Sequence, residues 1–139
     1  MMIIGFTGTR EGMTALQKQS LTALIDTLKP KEVHHGDCVG ADAEFHDIVQ
    51  GRRIRTIIHP PDNDGLRAHC QSLFGFTVTP RLYLQRNIDI IEASDLVIAA
   101  PKGPELQRSG TWMTIRRAHT YRRPVIIIYP EGNIERKVP

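Results

Sequence analysis

The stretch Asp95-Leu-Val-Ile-Ala-Ala100 is apolar at every position after its first residue. Strands that are buried on both faces of a parallel sheet have this unbroken apolar character, whereas strands with one wet face alternate. The pattern that follows begins near Ser109, carries Trp112 and Ile115 at helical spacing, and cannot continue through Pro124. The stretch therefore predicts a buried strand and a covering helix, the repeating unit of a parallel sheet.

Similar units lie on both sides of this one. Four more apolar runs, at residues 2–6, 32–35, 54–58 and 125–129, are separated from one another by helical patterns or turn residues. This alternation predicts an α/β fold, with a doubly wound, mainly parallel five-stranded sheet and helices on both of its faces.

The length and composition set the size and class of the protein. The chain has 139 residues, of which 40% are hydrophobic and 24% charged. We expect one soluble domain at residues 1–130 and a polar tail at 131–139. No apolar run approaches the roughly 18 residues of a membrane helix, and the first residues lack the features of a secretory signal. The sequence thus predicts a cytoplasmic protein with no membrane partner and with reduced thiols at Cys38 and Cys70.

The segment at residues 60–80 has no clear periodicity. It opens with two prolines and several turn-forming residues and closes with Thr79-Pro80. A stretch of about twenty such residues inside a compact domain is usually functional or mobile. We interpret this segment as a lid over a binding site.

Three glycine-rich loops follow predicted strands. They are Thr7-Gly-Thr-Arg-Glu-Gly12, Gly36-Asp-Cys-Val-Gly-Ala-Asp42 and Ser109-Gly-Thr111. The carboxyl ends of parallel strands meet at one edge of the sheet, where helix N-termini and their unpaired N–H groups favour anions. Each loop alone is also consistent with a tight turn. Together they predict a phosphate site, although neither the dinucleotide-binding nor the P-loop fingerprint is present.

The cationic side chains are mostly guanidinium groups. The chain has 13 arginines and 5 lysines, and arginine is the better partner for phosphate. A cluster on and after the last predicted helix consists of Arg116, Arg117, Arg122 and Arg123. It is either a solvated helix face or a contact surface for nucleic acid or another subunit.

The six histidines do not follow a compact zinc-binding pattern. His59 is followed in the sequence by Asp62 and Asp64, which are also metal-ligand types, but their spacing matches no known metal-binding pattern. We therefore predict neither a metal nor another cofactor. His59 ends the third predicted strand at the functional edge, so ligand contact or acid–base chemistry is a hypothesis for this residue.

Several motifs, taken in order, resemble one known group of proteins. Phe6-Thr-Gly-Thr-Arg10, His35-Gly-Asp-x-x-Gly-Ala-Asp42, Arg86-Asn87 and Arg108-Ser-Gly-Thr-Trp112 are similar to the SLOG superfamily. That group includes the lonely-guy phosphoribohydrolases, the DprA/Smf DNA-processing proteins and YspA/YpsA-like domains. The resemblance covers about residues 2–130. It implies a Rossmann-like fold, a nucleotide or nucleotide-derived ligand, and dimers or larger assemblies.

The resemblance also suggests roles for single residues. In the phosphoribohydrolases a P-G-G-x-G-T-x-x-E motif holds phosphate and supplies the catalytic acid. Placing its G-T on Gly110-Thr111 puts Thr114 where the glutamate belongs, so the phosphate-binding part is kept and the acid is missing. Arg86 matches the substrate-binding arginine of that family. Hydrolysis of an N-glycosidic bond would then need a carboxylate from the second loop, and the candidates are Asp37, Asp42 and Glu44.

These arguments define a predicted site and function. Asp42 is either a ribose ligand or an acidic first-turn residue that favours the helix dipole. The protein is expected to act as a nucleotide sensor or an N-glycosidic-bond hydrolase, and the less favoured alternative is binding of single-stranded nucleic acid. The predicted ligand-binding residues are Gly8, Thr9, Arg10, Gly36, Asp37, Asp42, Arg86, Asn87, Arg108, Ser109, Gly110 and Thr111.

Overall fold

A single seven-stranded sheet with four helices organises the chain, and the computed structural model describes residues 2–139. The strands are β1 (Ile3–Gly8), β2 (Glu32–His35), β3 (Arg55–Ile58), β4 (Gly75–Thr77), β5 (Leu96–Ala100), β6 (Val125–Ile128) and β7 (Ile134–Lys137). The helices are α1 (Ala15–Leu28), α2 (Ala41–Gly51), α3 (Tyr83–Ala93) and α4 (Gly110–Thr120), and a single 3-10 turn lies at Asp64–Leu66.

The strand order is β4-β3-β2-β1-β5-β6-β7, and every neighbouring pair is parallel except β6 and β7. Strands β2, β3 and β4 follow one another on one side of β1, and β5, β6 and β7 follow one another on its other side. The α/β class and the mainly parallel, doubly wound sheet are therefore confirmed. The predicted number of five strands is wrong, because two edge strands were not recognised.

The first unrecognised strand is β4, inside the irregular 60–80 segment. It is three residues long and exposed throughout, so it has no buried face to produce an alternating pattern. Backbone bonds from Thr56 N–H to the Phe74 carbonyl (2.6 Å) and from Val78 N–H to the Ile58 carbonyl (2.9 Å) fix it against β3.

The second unrecognised strand is β7, within the predicted polar tail. It pairs antiparallel with β6 through a short turn in which Gly132 has φ 89°. All four of its residues are exposed, and Glu135, Arg136 and Lys137 are charged. Charged side chains commonly protect the edge of a sheet against pairing with other chains. Because of these charges, the sequence of the strand resembles that of a polar tail.

Successive residues of β5 point to opposite faces of the sheet and divide the core in two. Ile98 packs with Leu21 of α1 and Phe45 of α2 on one face. Val97 packs with Trp112 and Ile115 of α4 on the other face. Helices thus cover both faces, as predicted, and Trp112 is a core residue that is 3% exposed.

A buried glutamine links α1 to the loop after β5. Thr14 and Gln17 form a capping box at the start of α1. The Gln17 side-chain amide also donates to the carbonyls of Pro101 (2.8 Å) and Ile128 (2.9 Å). This side chain therefore fixes the chain where it leaves β5 and β6. No helix within residues 2–139 has both the length and the apolar character to cross a membrane.

Candidate functional site

A cavity of about 480 Å³ lies beyond the carboxyl ends of β1, β2 and β5, next to the N-terminus of α4. Small-molecule sites generally measure about 300–1,000 Å³. Eleven of the twelve residues predicted to bind ligand line this cavity, and Asp37 is the exception. The eleven are Gly8, Thr9, Arg10, Gly36, Asp42, Arg86, Asn87, Arg108, Ser109, Gly110 and Thr111.

The N-terminus of α4 presents free N–H groups to the cavity. Ser109 is the N-cap, and its hydroxyl oxygen accepts from Trp112 N–H at 3.2 Å. The N–H groups of Gly110 and Thr111 donate to no acceptor among residues 2–139. Since the first N–H groups of a helix have no partner within the helix, this end of α4 favours an anion.

Two exposed arginines in the lining have no acidic partner among residues 2–139. Arg10 and Arg108 are exposed, and within residues 2–139 neither forms an ion pair. Lys102, by contrast, pairs with Glu11 at 3.0 Å. The cavity therefore has two available guanidinium groups, one from the first loop and one from the residue before the α4 cap.

Arg86 is 3% exposed and is largely occupied by protein groups. Its Nη1 donates to the carbonyls of Gly36 and of His59, the latter at 3.1 Å. Its Nε donates to Asn87 Oδ1 at 2.8 Å, and its Nη2 approaches Cys38 Sγ at 3.6 Å. Arg86 thus fixes the second loop to the end of β3, and most of its donors are unavailable to a ligand.

Asp42 is a buried carboxylate with an unsatisfied oxygen. The residue is 6% exposed, and its Oδ2 accepts from Cys38 N–H at 3.2 Å. Its Oδ1 has no hydrogen-bond partner among residues 2–139. Burial raises the pKa of Asp42 to about 6, against the opposing effect of the Arg86 charge.

Two glycines of the second loop allow this close packing. A Cβ at Gly36 would contact Arg86 Nη1 and lie 3.0 Å from Asp42 Oδ2, so only glycine fits between the two charged groups. Gly40 has φ 90°, and a Cβ there would collide with the Arg10 carbonyl. The second loop therefore lies directly against the first, and Ala41 N–H donates to the Thr9 carbonyl at 2.9 Å.

The structure does not bring Asp37 to the cavity. Its Oδ1 accepts from Cys70 N–H at 2.8 Å, its Oδ2 accepts from Arg67 Nε at 3.0 Å, and its carbonyl accepts from Ala68 N–H at 2.8 Å. Asp37 is fully buried and has φ 56°. Asp37 thus holds the 60–80 segment on the second loop, and its binding and catalytic roles stay predictions.

Glu44 is also outside the cavity. Its Oε1 accepts from Met13 N–H at 2.7 Å, and its Oε2 pairs with Lys18 at 2.8 Å. This carboxylate therefore joins α2 to the chain just before α1. Of the three candidate catalytic carboxylates, Asp42 is the one that lines the cavity.

The position matched to the glutamate of the phosphoribohydrolases holds no acid. Thr114 is 3% exposed, and its hydroxyl donates to the Gly110 carbonyl at 3.1 Å. This threonine completes the first turn of α4 and lies outside the lining.

Sequence reasoning missed Tyr83. The centroid of its ring lies 5.8 Å from the Arg10 guanidinium and 5.6 Å from that of Arg86, and its hydroxyl lies close to Gly110. Tyr83 precedes Arg86 by three residues and so shares a helix face with it. That spacing was the signal available in the sequence.

The 60–80 segment is not a lid over this cavity, because none of its residues lines it. The segment is bonded to Asp37 through Arg67 and Cys70. It is also bonded to His46, whose Nε2 lies 2.9 Å from the Gln71 carbonyl oxygen. The lid interpretation is therefore wrong for this cavity. The loop at 101–108 contributes Lys102, Leu106 and Arg108 to the lining instead.

His35, His46 and Cys70 bring three potential metal-ligand atoms within 4.8 Å of one another. However, Asp37 N–H donates to His35 Nδ1 at 3.0 Å, so the neutral ring carries its proton on Nε2. That proton is directed to His46 Nδ1 at 2.9 Å. A metal would need the lone pair that this proton occupies, and metal-bound histidines normally donate through the other nitrogen. The cluster is better described as a hydrogen-bond relay.

A second histidine pair lies under the same edge. His34 bonds to Glu32 Oε2 at 2.8 Å through Nε2 and to His59 Nε2 at 2.7 Å through Nδ1. Burial lowers the pKa of both rings, that of His59 to about 4. The His59 ring is not in the lining, and its contribution to the site is the carbonyl that accepts from Arg86.

Two of the four arginines in the cluster on and after α4 are bonded to other protein groups. Arg116 pairs with Glu105 at 2.8 Å and donates to the Gln107 carbonyl. Arg123 donates to the carbonyls of Ser94 (2.7 Å) and Tyr121 (2.8 Å). Only Arg117 and Arg122 of this cluster are without such contacts among residues 2–139, which weakens the nucleic-acid interpretation.

The comparisons with known proteins show similarity in fold. No family model and no curated protein matches the chain. A molybdenum cofactor binding protein from the phototrophic bacterium Rippkaea orientalis has 25% identity and a TM-score of 0.68, over 91% of this chain and 76% of that one. The Moco carrier protein from Chlamydomonas reinhardtii has 21% identity and a TM-score of 0.65, over 90% and 74%.

A structural genomics target called TM1055 has 16% identity and a TM-score of 0.64, over 90% of this chain and 72% of that chain. The three structures cover nearly the whole of this chain. They therefore support the Rossmann-like α/β fold that the resemblance implied.

Proposed function

We propose that the cavity binds a phosphorylated small molecule, a nucleotide or a nucleotide-derived compound, with its phosphate at the N-terminus of α4. The observation that carries the proposal is that, within residues 2–139, Arg10 and Arg108 form no ion pair and the adjacent Gly110 and Thr111 N–H groups have no acceptor. Guanidinium groups, hydroxyl groups and helix N–H groups are the usual partners of phosphate.

Asp42, which lines the same cavity, also supports the proposal. A buried carboxylate oxygen without a donor is unfavourable. A ligand with its anion at α4 and a hydrogen-bond donor near Asp42 would contact both groups. Two of the similar structures are described as a molybdenum cofactor binding protein and a Moco carrier protein.

Two activities share this site, a nucleotide sensor and an N-glycosidic-bond hydrolase. Thr114 in place of the glutamate favours the sensor. A hydrolase would have to use Asp42, the candidate carboxylate in the lining. Chromatography of the protein incubated with AMP and GMP separates the two, because free base and ribose phosphate form only if the protein is an enzyme. We expect the nucleotides to remain intact.

Ligand-induced stabilisation tests the binding proposal. Thermal unfolding is measured with inorganic phosphate, nucleoside monophosphates, NAD and ADP-ribose. A ligand at about 100 times its Kd stabilises the folded state by roughly 2.7 kcal/mol. Arg10→Ala and Arg108→Ala should each weaken binding at least tenfold, whereas Arg136→Ala on the exposed strand β7 should not. Binding that is unchanged in both cavity variants would overturn this phosphate position.

The alternative ligand, single-stranded nucleic acid, is tested beside the mononucleotides. It would have to bind with Arg117 and Arg122 while Arg116 and Arg123 stay tied to protein groups. Binding through several phosphates falls steeply as salt rises. We therefore expect single-stranded DNA to give less stabilisation than a mononucleotide at 200 mM salt.

A further inference from the structure

The hydroxyl of Tyr83 lies at the N-terminus of α4. A Cβ at Gly110 would lie 3.5 Å from Tyr83 Cζ and would collide with the hydroxyl oxygen, so the phenol touches the first residue of the helix. Ser109, the N-cap, precedes Gly110, and Thr111 follows it. The phenol is therefore adjacent to the two N–H groups on which the proposed phosphate position depends.

This hydroxyl is unpaired and accessible. Among residues 2–139 the tyrosine hydroxyl that forms a hydrogen bond is that of Tyr129, which donates to Glu135 Oε1 at 2.5 Å. The one side-chain polar atom in the same range that is both enclosed and unpaired belongs to Asp42. Tyr83 is half-buried, so its unpaired oxygen has accessible surface, and Tyr83 and Gly110 both line the cavity. The hydroxyl can therefore donate to a molecule in that cavity.

Thr111 gives a second and independent indication of a ligand at this place. The residue is 6% exposed and lines the cavity, yet its hydroxyl forms no hydrogen bond with any of residues 2–139 and is not enclosed. Polar groups of buried residues are nearly always hydrogen-bonded. Thr114, on the same turn, follows this rule by donating to the Gly110 carbonyl at 3.1 Å. The Thr111 hydroxyl is thus left for a partner from outside the chain.

Each of the unpaired groups around the tyrosine can donate a hydrogen bond. They are the N–H groups of Gly110 and Thr111, the Thr111 hydroxyl and the Arg10 guanidinium, whose Cζ lies 5.8 Å from the centroid of the Tyr83 ring. The positive end of the α4 dipole adds to the charge of this arginine. An anion in the cavity would accept from several of these donors at once, and from the phenol.

We propose that Tyr83 is a ligand residue of the cavity and donates its hydroxyl to a phosphoryl oxygen held at the N-terminus of α4. This inference rests on the proposed function, since it adds a donor to the same phosphate position. Hydrogen bonds to ionised acceptors are roughly twice as strong as those between neutral groups. The hydroxyl should therefore contribute to the affinity for phosphate and not to the affinity for an uncharged ligand.

The variant Tyr83→Phe removes the donor and keeps the ring beside Arg10. Equilibrium dialysis at constant ionic strength measures Kd for inorganic phosphate and AMP, with adenosine as the uncharged comparison. We expect Kd for phosphate and AMP to rise roughly tenfold or more, and Kd for adenosine to stay within about twofold. Tyr121→Phe is the matched control, since Tyr121 follows the last residue of α4 and lies outside the cavity lining, and its three Kd values should be unchanged.

A direct readout of the hydroxyl comes from NMR of the unmodified protein. The chain has three tyrosines, so isotopic labelling at tyrosine Cζ gives three signals, and the Tyr83 signal is the one absent from Tyr83→Phe. The chemical shift of this carbon responds to hydrogen bonding of the hydroxyl. Saturating phosphate should move the Tyr83 signal toward that of Tyr129, which already donates to a carboxylate, and leave the other two signals in place.

The two proposals fail in different ways. A Tyr83 signal that does not move at saturating phosphate, or equal Kd values for phosphate in Tyr83→Phe and the unmodified protein, overturns the role of the hydroxyl. The proposed function then stands as long as Arg10→Ala or Arg108→Ala weakens phosphate binding. If neither phosphate nor AMP binds the unmodified protein, both proposals are wrong.

Discussion

The hydroxyl of Tyr83 fills the space that a side chain at Gly110 would need. Gly110 is the first residue of α4, and Tyr83 is the first residue of α3. The two helices that border the cavity are thus in contact at their N-terminal ends. Because the Arg10 guanidinium lies over the same ring, 5.8 Å from its centroid, the contact also reaches the first loop.

Gly110→Ala should therefore disturb ligand binding. The added methyl group would displace the tyrosine and with it Arg10, and we expect at least a tenfold rise in Kd for a phosphorylated ligand. Gly103→Ala is the matched control, since a Cβ at Gly103 meets nothing within 4 Å. Calorimetric titration of both variants measures the effect, and equal Kd values would show that the contact does not influence the site.

Removal of Arg86 should affect stability. Arg86→Met leaves the carbonyls of Gly36 and His59 buried without their donor. Hydrogen bonds from charged groups contribute about 1.5–3 kcal/mol each, so we expect a loss of roughly 3 kcal/mol in the free energy of unfolding. Arg81→Met removes an exposed ion pair with Asp89 and should cost less than about 1 kcal/mol. Urea denaturation of the two variants provides the comparison.

Asp42 predicts a pH dependence of its own. Its pKa in the folded state is about 6, raised by burial, whereas an unfolded aspartate titrates near 3.9. The folded state binds more protons between these values, so this residue lowers stability as pH rises from 4 to 6 and above. The stability of Asp42→Asn relative to the unmodified protein should increase by roughly 2 kcal/mol between pH 4 and pH 7. Parallel stability curves for the two proteins would contradict the raised pKa.

His59 acts in the opposite direction. Burial lowers its pKa to about 4 in the folded state, whereas an unfolded histidine titrates near 6.5. Its contribution is fully present above pH 6.5 and is lost as pH falls toward 4, because the unfolded chain then binds the extra proton. His59→Gln should therefore reduce the loss of stability between pH 6.5 and pH 4. Unfolding at several pH values tests this, and His69→Gln, at an exposed position, controls for the loss of a histidine.

The central sheet and the position of the cavity were predictable for simple reasons. Residues 96–100 are buried on both faces, so their apolar run was unbroken. The carboxyl ends of parallel strands must meet, so the three glycine-rich loops came together around Gly8, Gly36 and Gly110. That these loops bind a nucleotide remains a prediction.

The parts that sequence reasoning missed depend on contacts between distant segments. Strand β4 has no buried face, and only its bonds to β3 define it. Asp37 has the residue type and loop position of a ligand, but Arg67 and the Cys70 N–H use its carboxylate. Neither partner is close to Asp37 in sequence, so no local pattern could indicate them.

The single tryptophan gives this protein a built-in optical reporter. Trp112 follows Thr111 directly, and its indole Nε1 donates to the Gly103 carbonyl in the 101–108 loop at 3.2 Å. Indole emission responds to changes in this hydrogen bond and in the local field. An anion arriving at the first turn of α4 should therefore change the intrinsic fluorescence, so occupancy of the cavity can be followed without any label.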